Sequence, residues 1–228
     1  MKLNLNLLDL KQIGNDIWVI VLTGGPCGGK TESAIRLKPL LSDLGYKVLI
    51  NPECATILQN GGVKIGENDL NVVEFQEEVL PCILTQEQRF LSSAMRLRDK
   101  GHKVVVLCDR GMMDNEAYVG RRLFSSIIKR FGFSRFEICS LRYHAVMHLV
   151  TPAKGAVKHY TNANNPARKE TIETEAGLKM VRKLDQRTLD AWQDHHYLRV
   201  IDNSTDFDGK VSRLFAEICA VLGESVPA

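Results

Sequence analysis

The stretch that most constrains this 228-residue chain is Gly24-Gly25-Pro26-Cys27-Gly28-Gly29-Lys30-Thr31. It fits G-x-x-x-x-G-K-[ST] without a mismatch. It follows the apolar run Ile17-Trp18-Val19-Ile20-Val21-Leu22 and precedes a stretch of helical period. A buried strand, a glycine turn and a helix start, in that order, make an anion cradle. The backbone N–H groups turn inward, and the helix end adds about half a positive charge. Gly25, Cys27, Gly28, Gly29 and Glu32 are the expected loop contacts to a nucleotide. Lys30 is expected to reach the β- and γ-phosphates, and the Thr31 hydroxyl to ligate Mg²⁺. A glycine turn with no ligand is the alternative, and the strand and helix on either side argue against it.

Four more apolar runs follow: Tyr46-Lys47-Val48-Leu49-Ile50, Lys103-Val104-Val105-Val106-Leu107-Cys108, Ala145-Val146-Met147-His148-Leu149-Val150 and Tyr197-Leu198-Arg199-Val200-Ile201. Such runs suit strands buried on both faces of a parallel sheet. Segments of helical length separate them, which implies right-handed crossovers on both faces. Helices are expected over residues 31–44, 171–193 and 210–222. A long one follows Val72, Phe75, Val79, Ile83, Phe90, Ala94 and Leu97, and Pro81 is expected to kink or split it. Residues 1–16 read as an edge strand or a lead-in. Residues 17–225 read as a single nucleotide-binding domain with a lid over about 152–185, hinged at Asn162-Ala163-Asn164-Asn165-Pro166.

Composition narrows the partners. Thirty basic against 27 acidic residues give a net charge of +3, too weak a balance to expect duplex nucleic acid. No apolar run reaches the roughly 18 residues of a membrane span, and Met1-Lys2-Leu3-Asn4-Leu5-Asn6 does not read as a signal peptide. The six cysteines form no C-x-x-C pair, so reduced, buried thiols in a cytoplasmic protein are expected. Neither a membrane nor an oligomeric partner is called for by any surface stripe.

The chemistry needs more than the loop. Val104-Val105-Val106-Leu107-Cys108-Asp109 is a strand ending in an acid, so Asp109 is the second expected Mg²⁺ ligand, or else a helix cap. Arg110 beside it could neutralise phosphate charge in the transition state. Glu53, in Asn51-Pro52-Glu53-Cys54-Ala55, is placed to meet an acceptor hydroxyl, or else opens a helix. Arg168-Lys169, with Arg182 and Lys183 beyond, form a lid candidate or a solvated helix face. Asn203-Ser204-Thr205-Asp206 is either a base-side loop, through Asn203, Thr205 and Asp206, or a helix N-cap. Gln76, Gln86 and Arg89 share one helix and line a pocket or, the preferred reading, face water. The strand with Asp109 lacks the D-x-x-G of a switch GTPase and the paired acids of a hexameric motor.

Taken together, these strings resemble a family. Beside the glycine loop stand Pro52-Glu53-Cys54-Ala55-Thr56, Asp109-Arg110-Gly111-Met112-Met113-Asp114, Arg142-Tyr143-His144-Ala145-Val146-Met147-His148-Leu149, Asn165-Pro166-Ala167-Arg168-Lys169-Glu170 and Val200-Ile201-Asp202-Asn203-Ser204-Thr205-Asp206-Phe207. The set is similar to the small AAA-type P-loop domains grouped with nicotinamide-riboside kinases and with the GTP-binding translocation-defect protein of photoreceptors. The resemblance implies an α/β three-layer P-loop NTPase fold: a parallel five-stranded sheet with helices on both faces and a helical lid. It implies binding of ATP or GTP with Mg²⁺. It carries Lys30, Thr31 and Asp109 over as phosphate and metal residues, and Arg168 as a lid arginine.

The expectation is therefore a kinase that moves the γ-phosphoryl group of ATP or GTP to a small, hydroxyl-bearing, nucleoside-like acceptor. Lys30, Glu53, Asp109, Arg110 and Arg168 would carry the chemistry. A GTP-preferring regulatory module with slow hydrolysis is the alternative.

Overall fold

The computed structural model describes residues 13–156 and 174–227. Five strands form one parallel sheet in the order β2-β3-β1-β4-β5: β1 (Ile17–Thr23), β2 (Tyr46–Asn51), β3 (Lys103–Asp109), β4 (Ala145–Leu149) and β5 (Leu198–Ile201). The helices are α1 (Lys30–Asp43), α2 (Cys54–Asn60), α3 (Val72–Arg98), α4 (Asp114–Val119), α5 (Arg121–Arg130), α6 (Glu175–Ala191) and α7 (Phe207–Leu222). A π-helical turn (Glu137–Leu141) precedes β4.

The two-residue period of the strands divides the apolar side chains between two cores. Ile20, Leu22, Val105, Leu107, Met147 and Leu149 pack under α1 and α7, against Ala34, Leu37, Leu41, Leu214 and Ile218. Ile17, Val19, Val21, Val104, Val106 and Cys108 point the other way, onto Phe75, Val79, Leu80, Phe124 and Trp192. Runs apolar at every position are what a sheet covered on both faces requires. This is the α/β P-loop architecture expected from sequence.

Helix α3 is continuous through Pro81, so the proline does not split it. Proline costs about 3 kcal/mol inside a helix. Here the capping box of Asn71 and Glu74 fixes one end, and Phe75, Val79, Leu80, Ile83, Leu84, Leu91 and Ala94 are all buried along its length. That burial exceeds the local penalty at roughly 1.5–3 kcal/mol per large side chain.

Residues 1–12, 157–173 and 228 lie outside the described residues, and with them most of the expected lead-in, the hinge loop, Arg168 and Lys169. Among the described residues no helix is long and apolar enough to cross a membrane.

Candidate nucleotide-binding and active site

The site lies at the carboxyl ends of β1 and β3, where the strand order reverses, the place at which open α/β sheets bind ligands. Leu22 and Asp109 are in register across the two strands. The glycine loop leaves β1 and enters α1. It curls tightly, with Cys27 at φ 59° and Gly29 at φ 84°. The loop also rests on the end of β4: a Cβ at Gly28 would meet the Leu149 carbonyl oxygen at 2.6 Å, so no larger residue fits there.

Lys30 is buried, and its Nζ donates to Gly25 O at 2.9 Å and to Gly24 O at 3.2 Å. The ammonium thus lies over the loop it belongs to, where a phosphate would meet it. Thr31 Oγ1 donates to Asp109 Oδ2. Asp109 Oδ1 is buried with no hydrogen-bond partner. Burial, and then the charge of Glu53, push the Asp109 carboxyl up from its ordinary value, while Lys30, Thr31 and Arg110 pull it down. A hydroxyl oxygen, a buried carboxylate with one unused oxygen, and a second acid nearby make an all-oxygen set that suits Mg²⁺. Thr31 and Asp109 are the residues that would hold it.

Arg110 occupies the left-handed region at φ 73°, a strained place for a residue with a side chain. The strain aims the guanidinium inward. Nε donates to Glu53 Oε1, and Nη1 to Asp114 Oδ2 at 3.1 Å and Gly24 O at 3.3 Å. Glu53 stands at the N-cap position of α2 without a side-chain capping bond, and its carboxylate accepts from Thr56 Oγ1 at 2.7 Å. Asp114 accepts in addition from Thr23 Oγ1 at 2.6 Å and Trp192 Nε1 at 2.7 Å. Arg110 is therefore the hub that sets the Glu53 carboxylate beside Asp109. The fixed spacing in Asp109-Arg110-Gly111-Met112-Met113-Asp114 was the only sequence signal for Asp114.

Two buried groups hold the loop from behind. Asp185 Oδ1 accepts from Gly25 N at 2.8 Å and Thr151 N at 3.2 Å, Lys154 Nζ lies 2.8 Å from Oδ2, and His148 Nε2 lies 3.2 Å from Oδ1. Burial would raise this carboxyl, but the contacts with His148, Lys154 and Gly25 outweigh it and hold it well below the usual carboxylate range. Lys210, on α7, donates to Val150 O at 2.7 Å, Asn203 Oδ1 at 2.9 Å and Gly28 O at 3.3 Å. Burial pulls its ammonium down to about 8.

A family model described as an AAA domain matches residues 19–210. The chain belongs to that family. The AAA domain is of the P-loop type, so this is a nucleotide-binding protein of the general NTPase or kinase kind. No curated protein matches the chain.

Within this AAA domain the remaining expected residues take these places. Glu32 pairs with Arg36 on the exposed side of α1. Asn203 Nδ2 donates to Thr151 O at 2.9 Å and Lys154 O at 2.8 Å. Asp206 caps α7, accepting from Gly209 N at 2.8 Å, and Thr205 Oγ1 donates to Asp206 O. Arg182 donates to Ala153 O at 2.7 Å. Gln76 and Gln86 do not face water. Gln86 Nε2 donates to Pro52 O at 2.7 Å and to Asn51 Oδ1, and Gln76 is 4% exposed.

Beside the loop opens a cavity of about 870 Å³. Pro26, Glu53, Asp109, Arg110 and Asp114 form one end of it. Apolar Phe75, Val79 and Ile83 of α3 and Met180 and Leu184 of α6 form its walls, with Lys183 and Arg187 also on the α6 side.

Proposed function

We propose that the protein is a Mg²⁺-dependent kinase that transfers the γ-phosphoryl group of ATP or GTP to a hydroxyl of a small acceptor. The observation that carries this reading is the 870 Å³ cavity ending on Glu53, Asp109 and Arg110. A protein that only hydrolysed or sensed its nucleotide would need room for one water there. A volume of this size suits a small organic ligand.

In this reading the backbone N–H groups of residues 27–31 and the Lys30 ammonium bind the phosphates. Bound Mg²⁺ would offset charge on the β- and γ-phosphates. The acceptor hydroxyl oxygen bonds to the γ-phosphorus, and its proton passes to the Glu53 carboxylate. The bond from the γ-phosphorus to the bridging oxygen breaks, and the nucleoside diphosphate leaves with the electron pair. Arg110 holds Glu53 in place and balances its charge. Arg168 is proposed to close over the transferring group from the lid at about 152–185, together with Lys183 and Arg187, and so to exclude water.

The resemblance of the sequence strings to nicotinamide-riboside kinases is a reason to propose such a reaction. The free cysteines, four of six buried, agree with a reducing cytoplasm. The test is nucleotide consumption with ATP and GTP, with and without Mg²⁺, across a panel of nucleosides and polyols. Acceptor-dependent acceleration supports the kinase, whereas uniformly slow turnover supports a regulatory module.

A further inference from the structure

Lys210, in the first turn of α7, is 4% exposed. Among the described residues its ammonium bonds only neutral oxygens: Val150 O at 2.7 Å, Asn203 Oδ1 at 2.9 Å and Gly28 O at 3.3 Å. The charged groups that face it are Asp185 of α6, Asp202 after β5 and Arg213 of its own helix. Asp185 is taken by Lys154 and His148, and Asp202 by Arg213. Burying an ammonium with no acid beside it destabilises a fold, so its place against the phosphate loop calls for a reason.

The bond to Gly28 O supplies one. A trans peptide is planar, with its C=O and N–H pointing opposite ways. Gly28 O turned back toward Lys210 and the end of β4 therefore turns the Gly29 N–H forward, toward the phosphate position. Glycines stand on both sides of this peptide, Gly29 at φ 84°, and they leave little steric barrier to its rotation. Among the described residues no backbone N–H donates to Gly28 O, so the Lys210 bond is what opposes a flip. An ammonium has three donors, and all three are in use. A neutral amine has two and must give one up, and the Gly28 bond is the longest of the three.

We infer that Lys210 is a positioning residue of the phosphate loop: its charged form holds the Gly28–Gly29 peptide with the N–H aimed at the bound polyphosphate. Through Asn203, whose Nδ2 holds the carbonyls of Thr151 and Lys154, the same ammonium ties the loop to the segment after β4. The inference needs nucleotide binding alone, which the kinase and the regulatory module share. Burial lowers the ammonium to about 8, so the charged form prevails at pH 7 and is lost as pH rises through that value.

The test is titration calorimetry of the full chain with ATP, GTP and ADP, each with Mg²⁺, at pH 7 and pH 9.5. In Lys210→Met, affinity at pH 7 should fall about tenfold or more, the worth of a charge-assisted hydrogen bond. ADP should suffer as much as ATP, because loop N–H groups serve the phosphates common to both. Wild type should lose a similar factor between pH 7 and pH 9.5, whereas Lys210→Arg, charged at both values, should show no such fall. A Lys210→Met chain that melts in one transition and binds like wild type, a wild type whose affinity is level between the two pH values, or a fall in Lys210→Arg as steep as in wild type would each overturn the inference. Where Lys210→Met does not fold, the two pH profiles decide. A wild type that binds neither triphosphate would sink the nucleotide site and the inference together. Lys210-dependent binding without phosphoryl transfer would uphold the inference and sink the kinase.

Discussion

Asp185 Oδ1 accepts the Gly25 N–H at 2.8 Å, joining α6 to the phosphate loop across 160 residues of sequence. The same carboxylate holds Thr151 N and sits against Lys154 and His148. The loop is thereby clamped to the two segments that border residues 157–173.

Asp185→Ala should destabilise the protein by about 3 kcal/mol, because it leaves the Gly25 amide and the Lys154 ammonium without their buried partner. For a chain of this size that is a fall of roughly 6–12 °C in melting temperature. Asp185→Asn, which keeps an acceptor oxygen but no charge, should fall between the two. Calorimetric melting checks both, and an alanine variant as stable as wild type would contradict the clamp.

Lys30→Ala should weaken ATP or GTP binding by roughly 10- to 100-fold, the worth of a charge-assisted hydrogen bond. The isolated melting transition should remain single and cooperative. Titration calorimetry with the triphosphate reads the effect, and diphosphate binding should suffer less, since Lys30 is assigned to the β- and γ-phosphates.

Asp109→Asn should remove most of the gain in triphosphate affinity that Mg²⁺ brings, by about tenfold or more. The change replaces one oxygen of a carboxyl whose Oδ1 has no partner and whose Oδ2 accepts from Thr31 with an amide nitrogen, which cannot ligate the cation. Parallel titrations with Mg²⁺ and with EDTA measure it. The same Mg²⁺ dependence in variant and wild type would remove Asp109 from the metal site.

Two histidines set an acid limit. Burial, and for His144 the neighbouring His196, lower His144 and His195 to about 4. His144 Nδ1 accepts from Val19 N at 2.9 Å and His195 Nδ1 from Tyr197 N at 3.0 Å, which each ring can do only while that nitrogen carries no proton. Between their lowered values and the ordinary 6.5 the unfolded chain binds more protons, so stability is full above about pH 6.5 and is lost as pH falls toward 4. From pH 7 to pH 5 the loss should be up to about 2 kcal/mol per histidine. Urea melts at the two pH values measure it, and His144→Asn should flatten the dependence by about one proton.

The parts legible in the sequence were those where one physical demand dominates. Strands covered on both faces must be apolar throughout, so β1, β3 and β4 were plain. A phosphate cradle must have glycines at fixed steps, so residues 24–31 were plain too. What escaped was decided by partners far away in the chain. Asp185 stands among Lys183, Gln186 and Arg187 and looks like part of a solvated helix face, yet it is wholly buried because Gly25 and Thr151 arrive from other elements. Gln76 and Gln86 looked solvated for the same reason, since a glutamine says nothing of which helix face is covered. Arg110 was singled out for its charge, but its positive φ and its grip on Glu53 come from the turn after β3 meeting the start of α2. The continuity of α3 through Pro81 was hidden because local propensity was outweighed by burial along both flanks.

The most direct test follows the phosphoryl group itself. ATP and GTP labelled at the γ-phosphate are incubated with Mg²⁺, the full chain and a mixture of nucleosides, and the label is traced. The account requires it to appear on an organic hydroxyl, with the yield collapsing in Glu53→Gln by roughly 10²–10⁴-fold, as for loss of a general base. Label recovered only as inorganic phosphate, at the same rate with and without acceptors, would contradict it.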